Sequence, residues 1–495
     1  MPDKPILLND GQIQQFICDG FLLLEPDVES SVHQLIDERF NWLVENEPNP
    51  GNNILPRLPE LEQILNCAVV QGAMISLLGD DYLIHPHRYW HSRAPDNESY
   101  SDNDIQEEVK KASHQDSYTP SEQAKSHQLQ YLRFMYYSHD MQFENGPTHV
   151  IPGSQYHANL TDDDRERQIP VLGKAGTIFI SHFDLGHAGC PNMSTRCRNM
   201  IKFIFLRSSQ PTSPSWQHSS PEWKTPLEQN APFILENCWQ HQWNWLCGHS
   251  PKAINSDRLT SLLPLLNTGE QADRTNAIYA IAELGEPAII PLVERLIEAG
   301  QYIAENDLPF QKSTIAMDDA CYALSAIGED CIDFVLPLLS SEYEWTVLNA
   351  IHILNDIGIN RDDVRRALEP LLESDSCTKI CHSANALGSI HAKQSVPLLC
   401  RLLDKSYDLE IDNLWNWPTD WNIHFNVAMA LARIGKDTAD SEDEIIRHHK
   451  HAFGQAGWFL TETLMRIGTP AALKAVATDL SVRRWDATLT KERSF

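Results

Sequence analysis

The sequence predicts two halves of different construction: a β-barrel or β-sandwich before about residue 210, and an array of helix pairs after about residue 255. Two observations predict this division. Short runs rich in aromatic and β-branched residues, separated by turn-forming residues, fill the first half. Six similar words, each ending in glycine or histidine, recur at intervals of a few tens of residues in the second half.

Composition limits the classes of protein to which this chain can belong. Its 495 residues suffice for two or more domains, and a formal net charge of −29 disfavours nucleic acids and anionic membrane surfaces as partners. The first residues carry no basic segment followed by an apolar run, and no run of about twenty apolar residues occurs, so neither a secretory signal nor a membrane span is predicted. The 11 scattered cysteines are expected to be reduced and buried, and the expected location is the cytoplasm.

The first half begins with a predicted helix and strand. In PILLNDGQIQQFICDGFLLLE, Ile13, Phe16 and Ile17 share one helical face before the apolar GFLLLE. LQYLRFMYYSHDM, GTIFISHF and RNMIKFIFLR are typical of strands, and ENGPTHVIPGSQ is dense in turn formers. Many short strands with long loops favour a barrel or sandwich.

Residues 211–254 are predicted to form a connector, because RSSQPTSPSWQHSSPEWKTP suits neither helix nor strand. Large apolar side chains are unfavourable in water, so we expect the tryptophans of this segment to pack between the two halves. A ligand-binding aromatic patch is the alternative. The five residues are Trp216, Trp223, Trp239, Trp243 and Trp245.

The second half carries the words AIAELG, ALSAIG, ILNDIG, ALGSIH, ALARIG and TLMRIG, most of them followed by a second apolar helix. Glycine just after a helix permits the left-handed turn that starts the next helix. The words resemble HEAT-like repeats and predict an all-α solenoid over residues 255–482, with a tail at 483–495; an irregular bundle is the alternative. The words end at Gly285, Gly328, Gly358, His391, Gly435 and Gly468.

The residues expected to carry chemistry begin at SHQD. In an extended chain, His114 and Asp116 point to the same side and can bind one ion together. Two imidazoles and one carboxylate with open coordination positions suit ferrous iron. His187 follows a predicted strand and supplies the second imidazole, and Arg198, across a hairpin-like turn, can bind a carboxylate with its guanidinium. A zinc-loaded hydrolase remains an alternative for the same ligand set.

Other residues of the right type compete for these roles. Arg196 is the alternative to Arg198, and His182 lies near the second strand but precedes the turn. Alternate members of the histidine-rich IHPHRYWHSRAP strand are candidates to face a cavity. The remaining histidines of the intervening turn are interpreted as surface or structural residues and not as ligands: His139, His149 and His157.

These motifs resemble the phytanoyl-CoA dioxygenase family of iron(II)/2-oxoglutarate oxygenases. The HxD of SHQD, the distal His187 and Arg198 eleven residues later follow the order of that family. ENGPTHVIPGSQ is similar to its NGxxxxxPGSH turn, with Gln155 where the family usually has histidine, and FICDGFLLL is similar to its first helix and strand. The resemblance covers residues 8–208 and implies a double-stranded β-helix (jelly-roll or cupin-like) oxygenase domain over residues 1–210.

The resemblance also implies a cofactor and roles for residues. His114, Asp116 and His187 are expected to hold Fe(II), and Arg198 to bind the distal carboxylate of the cosubstrate 2-oxoglutarate, with O2 as oxidant. Arg93 replaces a family lysine, and Tyr136 takes the position of an aromatic residue that lines the cosubstrate pocket. Core packing or solvent exposure is the alternative for both.

The activity expected from this resemblance is hydroxylation, because related halogenases lack the carboxylate that Asp116 provides; desaturation and ring formation are the alternatives. The substrate expected is a small metabolite, a natural-product intermediate or a peptide, attacked at an unactivated C–H. The helical array is expected to aid binding of substrate or of a protein partner, or self-association. The alternative is an inactive oxygenase-like scaffold whose repeats mediate protein–protein interaction.

Overall fold

The computed structural model describes residues 4–96, 100–116, 125–249, 257–306, 316–406, 419–452 and 454–483. The N-terminal part is built of antiparallel sheets and the C-terminal part is largely helical, as the sequence predicts. The end of the predicted connector, from residue 250, and the tail beyond Arg483 lie outside the described residues.

The strands of the described chain form two antiparallel sheets. The larger sheet has the order β1-β6-β3-β8-β2 and the smaller one the order β5-β4-β7. The strands are β1 (Phe21–Leu24), β2 (Leu83–Arg93), β3 (Tyr131–Tyr137), β4 (Thr148–Val150), β5 (Ile169–Pro170), β6 (Ile178–His182), β7 (His187–Gly189) and β8 (Arg198–Leu206).

Helices cover one face of the larger sheet. The first of them begins at a capping box between Asn9 and Gln12 and buries the predicted apolar face of Ile13, Phe16 and Ile17. The helices of this half and of the connector are α1 (Asp10–Asp19), α2 (Ser30–Asn46), α3 (Leu61–Leu65), α4 (Ala68–Leu78), α5 (Asp102–Ala112), α6 (Asp162–Arg165) and α7 (Glu236–Leu246).

The two faces of the larger sheet differ in chemistry. Register pairs Met135 of β3 with Lys202 of β8, so both side chains lie on one face, which Arg198 shares because it is four residues from Lys202. This face, called the inner face below, looks toward the smaller sheet. Tyr136 pairs with Ile201 and lies on the opposite face, against α2.

The C-terminal part consists of helices packed in successive pairs, several of which end in a 3-10 turn. The helices are α8 (Leu259–Leu262), α9 (Gln271–Ala282), α10 (Glu286–Glu305), α11 (Asp319–Ile327), α12 (Ile332–Val335), α13 (Glu344–Ile357), α14 (Asp362–Leu368), α15 (Cys377–Ser389), α16 (Val396–Leu402), α17 (Thr419–Ile434), α18 (Glu442–His449), α19 (Gly454–Ile467) and α20 (Pro470–Arg483).

The six repeated words end where the backbone has positive φ, the conformation that favours glycine. The φ values are 68° at Gly285, 84° at Gly328, 65° at Gly358, 51° at His391, 63° at Gly435 and 70° at Gly468. His391 is the one residue other than glycine with positive φ in the described chain. Its Nε2 lies 3.2 Å from both Ser208 O and Ser209 Oγ, and these contacts offset the cost of its backbone conformation.

Helices α9, α11, α13, α15, α17 and α19 pack in succession and form a row, called the inner row below. Nearly every member of this row, or the turn that follows it, contacts the sheet domain. The contacts join Tyr279 to His127, Tyr322 to Lys125, Asp356 to Ser126, His391 to Ser208, Met429 to Tyr131 and Trp458 to Ile84.

Tryptophans fill the seam between the halves, as predicted. Trp239 and Trp243 of α7 are fully buried, and α7 packs against both α1 and α9. Trp216 stacks edge-on against Trp243 with ring centroids 5.3 Å apart. No helix of the described ranges is long and apolar enough to span a bilayer. All 11 cysteines are free thiols, and 9 are buried.

Candidate metal centre

A short antiparallel bridge brings His114 and His187 together. The amide of His114 donates to His187 O at 3.0 Å, and the amide of His187 donates to His114 O at 2.9 Å. Residues directly opposite each other in an antiparallel pair project to the same side. The two imidazoles therefore lie side by side, with ring centroids 4.4 Å apart.

Backbone carbonyls orient both imidazoles. Nδ1 of His114 lies 2.8 Å from Ala112 O, and Nδ1 of His187 lies 3.2 Å from Leu185 O. A carbonyl oxygen only accepts hydrogen bonds, so each Nδ1 carries the proton and each Nε2 keeps its lone pair. In this tautomer both Nε2 atoms are available as metal ligands.

Asp116 completes the constellation. Its Oδ1 lies 3.7 Å from His114 Nε2, and its Oδ2 lies 3.9 Å from His187 Nε2. The three candidate ligand atoms all lie within 4.8 Å of one another. A divalent ion that bonds its ligands at about 2.1 Å fits among atoms this close, so the donor set suits a metal.

Two buried cations hold the Asp116 carboxylate. Its Oδ2 accepts from Arg133 Nη2 at 2.7 Å and lies 3.5 Å from Lys202 Nζ. Burial acts to raise the pKa of Asp116, but Lys202 and Arg133 together hold that pKa well below its usual value. Asp116 is therefore ionised at neutral pH, and because both cations approach Oδ2, Oδ1 is the oxygen left for a metal.

His187 is in the protonation state that a metal requires. Burial lowers its pKa well below the usual value, and the nearby Arg133 lowers it further. The imidazole is consequently neutral at pH 7, which is the form that binds metal ions.

Arg198 is buried on the inner face, and none of the described acidic residues forms an ion pair with it. Its Nη1 donates to Gly146 O at 3.0 Å, while its Nε has no hydrogen-bond partner among the described residues. Arg196, the alternative anchor, instead binds both oxygens of Asp37 at 2.9 and 2.8 Å. A buried guanidinium without a counter-ion is unfavourable, so Arg198 is the arginine suited to receive an added carboxylate.

Arg93 lies beside Arg198 but already has a partner. The two arginines are directly opposite each other in the register of β2 and β8. The Arg93 guanidinium forms an ion pair with Asp96 at 3.0 Å, and Asp96 also accepts from the amide of Asn192 at 2.6 Å. Arg93 therefore lies at the edge of the site, and Asp96 already neutralises its charge.

Tyr136 does not lie at the site, which corrects the sequence prediction. Its hydroxyl is 2.8 Å from His33 Nδ1 on α2, on the face of the sheet opposite Arg198. Successive residues of a strand point to opposite faces, so the next residue, Tyr137, occupies the inner face instead. The Tyr137 hydroxyl donates to Thr148 Oγ1 at 3.0 Å.

Sequence reasoning did not single out Arg133 and Lys202. Each is a lone charged residue within an apolar strand, in YLRFMYY and RNMIKFIFL. A charge on such a strand must find a buried partner, and that is the signal that identifies both residues.

The histidine-rich β2 divides its side chains between two environments. Tyr89 pairs with Lys202 and His91 with Met200, so both lie on the inner face, and their rings are 5.0 Å apart. Burial lowers the pKa of His91 to about 3, which keeps it neutral. His85 packs instead against Phe425 of the helical region. Alternate histidines of this strand therefore differ in environment, as the sequence analysis allowed.

Residues 35–200 match the family model of phytanoyl-CoA dioxygenase (PhyH). This is the family that the sequence motifs resemble, and the matched stretch contains His114, Asp116, His187 and Arg198. The helical region lies outside the match. No curated protein is similar in sequence to the chain at a significant level.

Several solved oxygenase structures are distantly similar to the chain. EctD from S. alaskensis with bound Fe is 19% identical with a TM-score of 0.33, over 42% of this chain and 79% of that one. HygX from Streptomyces hygroscopicus with nickel and 2-oxoglutarate bound is 15% identical with a TM-score of 0.31, over 40% and 87%. The non-heme monooxygenase ThoJ in a nickel complex is 15% identical with a TM-score of 0.30, over 45% and 86%. Similarity this low carries no conclusion about function.

Proposed function

We propose that this protein is an Fe(II)- and 2-oxoglutarate-dependent oxygenase that hydroxylates an unactivated C–H of a small metabolite, a natural-product intermediate or a peptide. The observation that carries the proposal is the convergence of three ligand atoms, from His114, Asp116 and His187, within 4.8 Å of one another. Arg198, which is buried and has no acidic partner among the described residues, lies on the same inner face as the cations that hold Asp116. The match of residues 35–200 to the phytanoyl-CoA dioxygenase family supports the same activity.

In this proposal His114, Asp116 and His187 hold Fe(II), which together with 2-oxoglutarate and O2 supplies the oxidising power for hydroxylation. Arg133 keeps Asp116 ionised and occupies its Oδ2, so Asp116 binds through one oxygen. A single-oxygen carboxylate beside two imidazoles leaves coordination positions open for cosubstrate and oxygen.

Arg198 binds the distal carboxylate of 2-oxoglutarate and fixes its orientation. The guanidinium is held by Gly146 O through Nη1, which leaves other N–H groups, Nε among them, for a second acceptor. Charge-assisted bonds from a fixed guanidinium restrict a carboxylate to one orientation. In this proposal Arg93, whose charge is paired with Asp96, lines the edge of the cosubstrate site beside Arg198, and Tyr137 takes the place of Tyr136 as the aromatic residue of this face.

We also propose that the chain is divided into an oxygenase domain of double-stranded β-helix type (1–210), a connector (211–254) and a HEAT-like solenoid (255–482). Two antiparallel sheets and a row of helix pairs joined at positive-φ residues support it. The inner row contacts the sheet domain, so a protein partner or a second copy of the chain would meet the outer helices.

The experiment that tests the activity adds 2-oxoglutarate to the Fe(II)-loaded protein without oxygen. A weak visible charge-transfer band is expected, and its absence in the wild type would favour the scaffold alternative. Admission of oxygen should release succinate, and mass spectrometry across a library of metabolites and peptides should show a gain of one oxygen. Metal-dependent hydrolysis without oxygen consumption would point to a zinc hydrolase instead.

A further inference from the structure

Gln115, the residue between two of the candidate ligands, points into the protein and is held on all sides. Its side-chain amide nitrogen lies 3.0 Å from Ser154 O, 3.2 Å from His157 O and 3.0 Å from Asp184 O. Its Oε1 accepts from Lys125 Nζ at 2.5 Å. Because neighbouring residues of an extended chain point to opposite sides, fixing Gln115 also fixes the direction of His114 and Asp116.

Lys125 is buried and uses its ammonium group to hold this position. Besides Gln115, its Nζ donates to His157 O at 2.9 Å and to Ala158 O at 2.6 Å. An ammonium group has three N–H donors, and these three oxygens satisfy all of them. The position of the Lys125 ammonium group therefore determines the position of the Gln115 side chain.

Three consecutive helices of the inner row hold the segment Lys125–His127. Tyr322 of α11 donates to Lys125 O at 3.0 Å, and its ring stacks on His127 with centroids 4.1 Å apart. Tyr279 of α9 lies 2.9 Å from His127 Nδ1. Asp356 of α13 accepts from the Ser126 hydroxyl at 3.2 Å.

We propose that the helical region is a positioning part of the metal centre, acting from Tyr322 through Lys125 and Gln115 on the strand that carries His114 and Asp116. This inference rests on the proposed metal site. The helical region then has a role within the oxygenase itself, beyond any role in binding a partner. Substitution of residues that orient the metal ligands without binding the metal themselves changes metal affinity by about tenfold to a hundredfold.

The test is a titration of the metal-free full-length protein with Co(II), followed by its visible ligand-field spectrum. Tyr322→Phe removes one hydroxyl and keeps the ring stacked on His127. We expect its dissociation constant for Co(II) to rise about tenfold, with a changed spectrum and a thermal midpoint within a few degrees of wild type. Tyr131→Phe is the matched control, because the Tyr131 hydroxyl bonds Met429 across the same interface.

A double-mutant cycle separates this path from a general loosening of the interface. If Tyr322 acts through Gln115, then Tyr322→Phe should have no further effect on Co(II) affinity in a Gln115→Ala background. Equal effects of Tyr322→Phe and Tyr131→Phe, or additive effects in the cycle, would overturn the positioning role alone. A wild type that binds no Co(II) would overturn both proposals, whereas positioning confirmed without succinate release would overturn the oxygenase activity only.

Discussion

Within the part of the chain that the structure describes, metal-ligand residue types come together in two places, and these two places differ in their surroundings. The first group, His114, Asp116 and His187, lies between the sheets. The second group is Asp404, Glu444 and His448, of which Glu444 and His448 belong to α18 of the helical region, and its ligand atoms also lie within 4.8 Å of one another. The two groups are therefore alike in the proximity of their ligand atoms, although the first offers two imidazoles and one carboxylate and the second one imidazole and two carboxylates.

The groups differ in what already binds their ligand atoms. Both oxygens of Asp404 accept from Arg447, at 2.6 and 2.9 Å, and Arg447 Nη2 also lies 3.1 Å from His448 Nε2. In the first group the cations approach only Oδ2 of Asp116, and backbone carbonyls bind the Nδ1 atoms of both histidines. A metal site thus requires ligand atoms that the protein orients but does not itself occupy.

The largest expected effect is loss of the metal. His187→Ala removes one of three ligands and should abolish both the anaerobic Fe(II)–2-oxoglutarate band and succinate release. His448→Ala is the matched control in the second group and should leave both signals at the wild-type level. Loss of signal in both variants, or in neither, would mean that the comparison between the two groups is wrong.

The next effect separates a buried ion pair from an exposed one. Arg133 has no exposed surface, so Arg133→Gln leaves Asp116 with one cation and should lower the free energy of unfolding by about 3–5 kcal/mol. Arg447→Gln breaks an exposed pair with Asp404 and should cause a much smaller loss, because solvent screens exposed charges. Urea denaturation of the metal-free variants measures both values, and similar losses would contradict the distinction.

A smaller effect concerns the cosubstrate. Arg198→Lys replaces a planar guanidinium with a single ammonium group, and loss of one charge-assisted hydrogen bond costs about 1.5–3 kcal/mol. The KM for 2-oxoglutarate should therefore rise about tenfold to a hundredfold, with the metal affinity unchanged. Arg196→Lys, at the arginine that binds Asp37, is the control and should not change this KM. A normal KM in Arg198→Lys would exclude Arg198 as the anchor.

The smallest effect is a pH dependence of stability that arises from His182, a buried histidine at the end of β6. Burial, and then Arg133, lower the pKa of His182 from 6.5 to about 3. The unfolded chain then binds a proton that the folded protein does not, so stability is lost as the pH falls below 6.5. Between pH 7 and pH 5 this histidine should cost about 2 kcal/mol, measured by urea denaturation of the metal-free protein. His182→Gln should reduce the difference, and an unchanged difference would contradict the assignment.

Much of the helical region follows from local sequence. The words AIAELG, ALSAIG and their relatives end at six of the seven positive-φ residues in the described helical region, Gly454 being the seventh, because a helix that ends at glycine reverses there through a local backbone preference. His391 ends one of these words although a residue with a side chain is unfavourable at positive φ. The contacts of His391 with Ser208 and Ser209 offset that cost, and no local pattern predicts them because these residues are far apart in the chain.

The candidate metal centre could be predicted in part for a related reason. The spacing of His114 and Asp116 is local, and the position of His187 follows from motifs in a known order. Tyr136 was expected at the cosubstrate pocket from its match to a family position, but the strand register, which no local pattern contains, places it on the opposite face. Arg133, Lys202 and Lys125 depend on the register between distant segments, so their roles emerge only when the sheets and helices are assembled.

The successive contacts of the inner row bear on how this protein can change in evolution. Open arrays of helical repeats gain or lose units readily, because each repeat meets only its neighbours. Here Tyr279, Tyr322 and Asp356 each meet a particular residue of the sheet domain, and later helices do the same. Deleting or duplicating one pair would shift all later contacts out of register. The sheet domain therefore fixes the number of helix pairs, and variation in length is expected only in the loops and the outer helices.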